Sequence, residues 1–143
     1  MTLVMNTAER ERFLAGPHVG ILSVAGEQGR APLAVPVWYL YEPGGEISFA
    51  TGQDSRKMAL IRQAGRVSLT VQNERMPYGY VSVEGAVTAV QQAHPEERRA
   101  LAERYLGPEG AAEYLESTKD IAHTMVVVRV RAEHWLTRDY GKH

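Results

Sequence analysis

Ser55, Arg56 and Lys57 stand together where a strand-like segment gives way to a helical one. A hydroxyl and two cations at a helix start, with the amide N–H groups that the first turn leaves unbonded, are the groups that hold a phosphate. The same trio serves a plainer purpose if Ser55 only caps the helix and both cations are solvated. A second signal is Pro36, inside the apolar run 31–41 (APLAVPVWYLY). Proline donates no backbone hydrogen bond, so the ladder is interrupted there. The polar backbone of Val35 and Val37 is then open to the edge of a planar heterocycle. A β-bulge or an edge position without a ligand is the alternative. Trp38, Tyr39, Tyr41, Tyr78, Tyr80 and Trp135 add aromatic surface, suited to a core, a subunit interface or the flanks of a planar cofactor.

Other chemistries lack their residues. The chain has no cysteine, which removes disulfides, thiolate catalysis and zinc–thiolate or iron–sulfur ligation together. Histidines 18, 94, 123, 134 and 143 show no metal-ligand spacing, so no metal site is expected. There is no G-x-S-x-G elbow, no G-x-G-x-x-G loop and no Walker P-loop. Arg98 and Arg99 beside Glu96 and Glu97 read as a solvated helix face. Sixteen Lys and Arg against seventeen Asp and Glu leave a formal charge of −1, so no global field draws the chain to nucleic acid. The longest aliphatic run, Met125 to Val128, is about four residues, far short of the roughly twenty that cross a bilayer. No signal-peptide apolar region follows the N-terminus, and with the lack of cysteine this points to the cytoplasm.

These groups need a scaffold to position them. At 143 residues, 44% hydrophobic and 23% charged, residues 1–143 are expected to form one domain with one core. Thr7 is placed to cap a helix over 8–15 that Gly16 stops. Residues 18–25 favour a strand, and Gly26-Glu27-Gln28-Gly29 a hairpin turn into the run 31–41. That run predicts a single strand buried on both faces, with a second subunit covering one of them. A strand over 46–51 then leads to a helix over 56–63 capped by Asp54 or Ser55, with Met58, Ile61 and Leu60 turned inward. Alternation over 66–72 and 78–90 predicts two further strands, with Gly85 as a bend. Pro95 opens a helix that ends at Gly107, and Pro108 starts another, with Leu101 and Tyr105 on one stripe and Ala102 and Leu106 on the next. Strands over 124–131 and 134–139 close the fold. The sum is a mainly β (α+β) domain, a small β-barrel with peripheral helices.

The ordered set VPVWY, turn, ISFAT, SRK, RVSLTV and YVSVEGAV resembles the flavin-binding split β-barrel superfamily of pyridoxamine 5′-phosphate oxidase-like proteins, from about Phe13 to Val90. PYGYVSVEG at 77–85 and RYLG at 104–107 resemble the branch that uses the deazaflavin coenzyme F420 in place of FMN. The resemblance implies that Ser55, Arg56 and Lys57 bind the cofactor phosphate and that Ala50 and Thr51 flank the ribityl chain. It also implies that Val35, Pro36 and Val37 meet the ring edge. It implies a homodimer with the cofactor between subunits, so that Tyr78, Trp135 and Arg138 reach the partner's cofactor. Strict pyridoxamine-phosphate oxidases carry basic residues on the ring-contacting strand and a C-terminal arginine–histidine motif. Neither 34–41 nor the terminal TRDYGKH has a counterpart. Many deazaflavin relatives place asparagine three residues after the phosphate lysine, where Leu60 stands here.

The expected activity is F420-dependent hydride transfer to a small conjugated acceptor, with no general acid or base assigned. An FMN-dependent reductase or oxidase of the same fold is one alternative. A non-catalytic flavin-binding or redox-sensing module is the other.

Overall fold

The computed structural model describes residues 2–142. Its elements run α1 (Thr7–Ala15), β1 (Gly20–Val24), β2 (Leu33–Val37), β3 (Tyr39–Tyr41), β4 (Ile47–Gly52), α2 (Arg56–Ala64), β5 (Arg66–Asn73), β6 (Gly79–Gln92), α3 (Pro95–Ser117), a 3₁₀ turn (Lys119–Thr124), β7 (Met125–Val130) and β8 (His134–Asp139). All strand pairs are antiparallel, in the order β2-β1-β5-β6-β7-β4-β3, with β8 also on β6. The chain is thus mainly β, a curled sheet carrying helices, as the alternating segments predict.

β6 holds the two halves of the sheet together. Its first part pairs β5 on one edge and β8 on the other, and from Val87 onward it pairs β7. The change of direction sits at a register shift between Val87 and Ala89 rather than at Gly85, where the bend was expected. Gly85 has a different reason to be glycine: a Cβ there would lie 1.6 Å from the Arg131 carbonyl oxygen as the connection into β8 crosses over it.

Two local expectations are corrected. The cap of α1 is Asn6, not Thr7. Asn6 accepts from the Glu9 amide and Glu9 accepts from the Asn6 amide, each at 2.9 Å. From Thr7 the third helical residue is Arg10, which has no acceptor to complete such a reciprocal box. The second correction concerns 31–41, which is two strands rather than one. β2 pairs β1 at one end of the sheet and β3 pairs β4 at the other, with Trp38 between them. Nor is β2 buried on both faces of the chain. Leu33, Val35 and Val37 turn towards the core, whereas Ala34 and Pro36 are exposed. The run is unbroken in the sequence because its residues meet three different surroundings: core, helix and outer face.

The core is built from both sheet halves and the helices, with Leu14, Tyr39, Phe49, Met58, Ile61, Val81 and Val128 fully buried. α2 docks through Met58, Leu60 and Ile61, as its spacing predicts, and Gly65 ends it in the left-handed region at φ 70°. α3 is interrupted at Gly107 (φ 75°, ψ 172°), so the predicted break before Pro108 is present. Leu101 and Ala102 are buried, but Leu106 is 43% exposed and does not extend the second stripe.

Candidate functional site

A cleft of about 380 Å³ lies where β2, β4 and the start of α2 face α3. Pro36 and Val37 line it from β2, Ala50 from β4 and Lys57 from α2, with Trp38 at the strand break. Arg98, Leu101, Ala102 and Tyr114 line it from α3, and Val19 and Met125 complete it. Its volume falls in the range of about 300–1,000 Å³ usual for small-molecule sites. Among the described residues two cations line it and no carboxylate does.

The three residues of the SRK segment do different things. Ser55 caps α2, its Oγ accepting from the Met58 amide at 3.1 Å and lying 3.5 Å from Oγ1 of the buried Thr51. Arg56 turns away to an ion pair with Glu27 at 2.9 Å, both side chains about half exposed. Lys57 enters the cleft, half-buried, and makes no ion pair among the described residues. Burial holds its ammonium pKa below the ordinary lysine range. A half-buried cation with no ion pair among the described residues, beside the free amides of a helix start, is chemistry that suits an anion. Of the other predicted residues, Pro36, Val37 and Ala50 share the cleft, while Val35 packs against the core and Thr51 lies behind the wall.

The α3 wall is fastened to the sheet by polar contacts. The Tyr105 hydroxyl donates to the His18 carbonyl at 2.7 Å and accepts from the Tyr39 amide at 3.1 Å. Arg104 donates to the Gly16 carbonyl. Arg98 donates to the Thr118 hydroxyl at 2.6 Å, tying the two halves of α3 together. Trp38 stacks on Tyr105 with centroids 5.0 Å apart and planes 11° apart, and meets Tyr114 at 5.4 Å. Arg98 and Tyr114 were not among the expected site residues, and Trp38 was read only as one of several aromatics suited to a core, an interface or the flanks of a cofactor. Arg98 is no solvated arginine: 98, 101, 102 and 105 follow the i, i+3, i+4, i+7 spacing of one helix face, and that spacing could have placed it.

The residues expected to reach a partner lie elsewhere. Tyr78, Trp135 and Arg138 do not line this cleft. Tyr78 packs on Tyr140 with centroids 4.8 Å apart, and Arg138 donates to the Thr137 carbonyl at 2.6 Å. Trp135 packs against the core, with Arg10 4.6 Å above its ring and Tyr41 edge-on at 6.3 Å. Among the described residues no group of three His, Cys, Asp or Glu could hold a metal ion, and no helix is long and apolar enough to cross a membrane.

Comparison with known proteins gives the fold context. No curated protein matches the chain. Among solved structures, the conserved hypothetical protein Rv2991 from Mycobacterium tuberculosis is 27% identical with a TM-score of 0.76, covering 96% of this chain and 87% of that one. A structure described as an F420 reductase is 22% identical with a TM-score of 0.69, covering 88% and 94%. A FAD-binding protein from Mesorhizobium loti is 19% identical with a TM-score of 0.64, covering 95% and 96%. Residues 7–139, nearly the whole chain, match the family described as pyridoxamine 5′-phosphate oxidase, and the protein is a member of that family.

Proposed function

We propose that the protein is an oxidoreductase that binds coenzyme F420 and passes a hydride from it to a small conjugated acceptor. The observation that carries this reading is Lys57, a half-buried cation with no ion pair among the described residues, set in a cleft with an otherwise mostly apolar lining. The donor set fits such a cofactor. Lys57 and the start of α2 suit its phosphate end, while Pro36, Val37 and Ala50 offer flat apolar contact to its ring. When bound, the cofactor supplies the hydride, and the chain contributes binding, orientation and exclusion of water. Ser55 holds the helix start in place, and Thr51 supports it from behind.

FMN is the second reading. Leu60 favours it: the residue is buried in the core at 3% exposure and offers no polar group at a position where many deazaflavin relatives carry asparagine. A module that binds the cofactor without turnover is the third, since among the described residues no acid–base pair lines the cleft.

A homodimer is part of the proposal. Pro36, Ile21, Thr70, Ser82 and Leu136 are register partners in one row across β2, β1, β5, β6 and β8. Ile21 and Leu136 are 41% and 53% exposed in the single chain, and Val19 beside them is 53% exposed. A second copy on this face would cover them, and Tyr78 and Arg138 are the residues we assign to its cofactor. Trp135, packed inward, is left out of that role.

The test is a paired titration of cofactor-free protein with F420 and with FMN, followed by fluorescence, then turnover of conjugated acceptors by the reduced form. Tight F420 and weak FMN binding supports the first reading and the reverse supports the second. Binding without turnover of any acceptor leaves the third. Binding of neither refutes all three.

A further inference from the structure

On the reading above Lys57 takes the cofactor phosphate, and the cleft holds a second cation on a different element. Arg98 projects into it from the first turn of α3, half-buried, and makes no ion pair among the described residues. The nearest carboxylate in sequence is spoken for: Glu97 pairs with Arg129 through one oxygen and accepts the His94 amide with the other. Among the described residues the one polar partner of the Arg98 side chain is the neutral Thr118 hydroxyl, which fixes one arm of the guanidinium and leaves further N–H donors. Beside it stand Trp38 and Tyr114, both lining the same cleft. A fixed guanidinium next to aromatic surface recognises a planar body that ends in a carboxylate.

We propose, resting on the oxidoreductase reading above, that the acceptor is a conjugated carboxylic acid whose carboxylate is bound by Arg98 while its unsaturated body lies along Trp38. Lys57 holds the cofactor phosphate and Arg98 the acceptor, so the two cations have separate duties. Arg98 is a specificity-determining residue in this scheme. It takes no proton and enters no bond-making step.

The experiment compares trans-cinnamate with the neutral isostere cinnamamide, titrated by NMR into the full-length protein, with and without whichever cofactor binds. Wild type is expected to prefer the acid by about tenfold or more, the usual margin for a hydrogen-bonded charge against its neutral analogue. Arg98→Gln should erase that preference while leaving cofactor affinity unchanged, and Arg98→Lys should restore part of it. Thr118→Val, which loosens the tether but keeps the charge, should retain it, whereas a merely structural role would make Thr118→Val and Arg98→Gln alike. Equal binding of acid and amide by wild type, binding of neither, or a preference that survives Arg98→Gln overturns the proposal. So does a preference lost in Lys57→Gln instead, or an Arg98→Gln variant whose cofactor affinity falls as far as its cinnamate affinity. If neither F420 nor FMN binds but the Arg98-dependent preference holds, the carboxylate site stands and the cofactor reading fails.

Discussion

Replacing Lys57 with methionine keeps most of the side-chain volume and removes the charge. In the cofactor-free protein this charge is half-buried, with no ion pair among the described residues, so it costs stability rather than adding it. Water still reaches it, which keeps the effect small, and Lys57→Met should raise stability by about 0.5 kcal/mol at neutral pH. The sign with pH follows from the direction of the shift. The folded pKa lies below the unfolded value near 10.5, so the cost is fully present below the folded pKa and fades as pH rises towards the unfolded one. The stability gap between variant and wild type should therefore close at strongly alkaline pH. Binding moves the opposite way. A hydrogen bond to a charged group contributes about 1.5–3 kcal/mol, and partial exposure places Lys57 in the lower half, a loss of roughly 10- to 40-fold in cofactor affinity. Urea unfolding and a fluorescence titration of one preparation give both numbers. Unchanged affinity would refute Lys57 as the anion anchor. Lost affinity with lost stability would show that the substitution damaged the fold instead.

Three further outcomes are expected. Tyr105→Phe removes the bonds to His18 and Tyr39, leaves the Tyr39 amide without that partner, and should cost about 2 kcal/mol in denaturant unfolding; a cost under about 0.5 kcal/mol would mean that α3 is held by packing alone. Asn6→Ala should cost about 1 kcal/mol, with Thr7→Ala close to neutral, because only Asn6 completes the capping box; thermal melts of the pair would reveal the reverse order if the cap were misplaced. Ile21→Glu, on the exposed row of the sheet, should turn a dimer into a folded monomer in sedimentation; a wild type that already sediments as a monomer removes the basis for assigning Tyr78 and Arg138 to a partner.

Much of the fold was legible because short-range rules govern it. The alternation of 66–72 places Val67, Leu69 and Val71 inward, and the helix of Met58, Leu60 and Ile61 buries the predicted face. Gly107 breaks α3 where glycine and proline meet. The run 31–41 was misjudged because hydropathy reports that a residue avoids water and not what covers it. Trp38 is covered by α3, Val37 by the core, and Pro36 lies exposed. The same limit applies to the site. Ser55-Arg56-Lys57 marks a helix start that suits an anion, but all three residues carried equal weight in the sequence.

By itself, then, the sequence determined the order of strands and helices apart from the break at Trp38, the place of the helix start and the absence of cysteine and motif-based chemistries. These depend on residue type and on neighbours a few positions away. Only the tertiary structure decided that Arg56 is taken by Glu27, that Lys57 has no ion pair among the described residues, and that Arg98 shares a cleft with Lys57 although the two stand 41 positions apart. Charge pairing and cleft formation depend on distances in space between elements remote in the chain, and no local pattern of residues carries those distances.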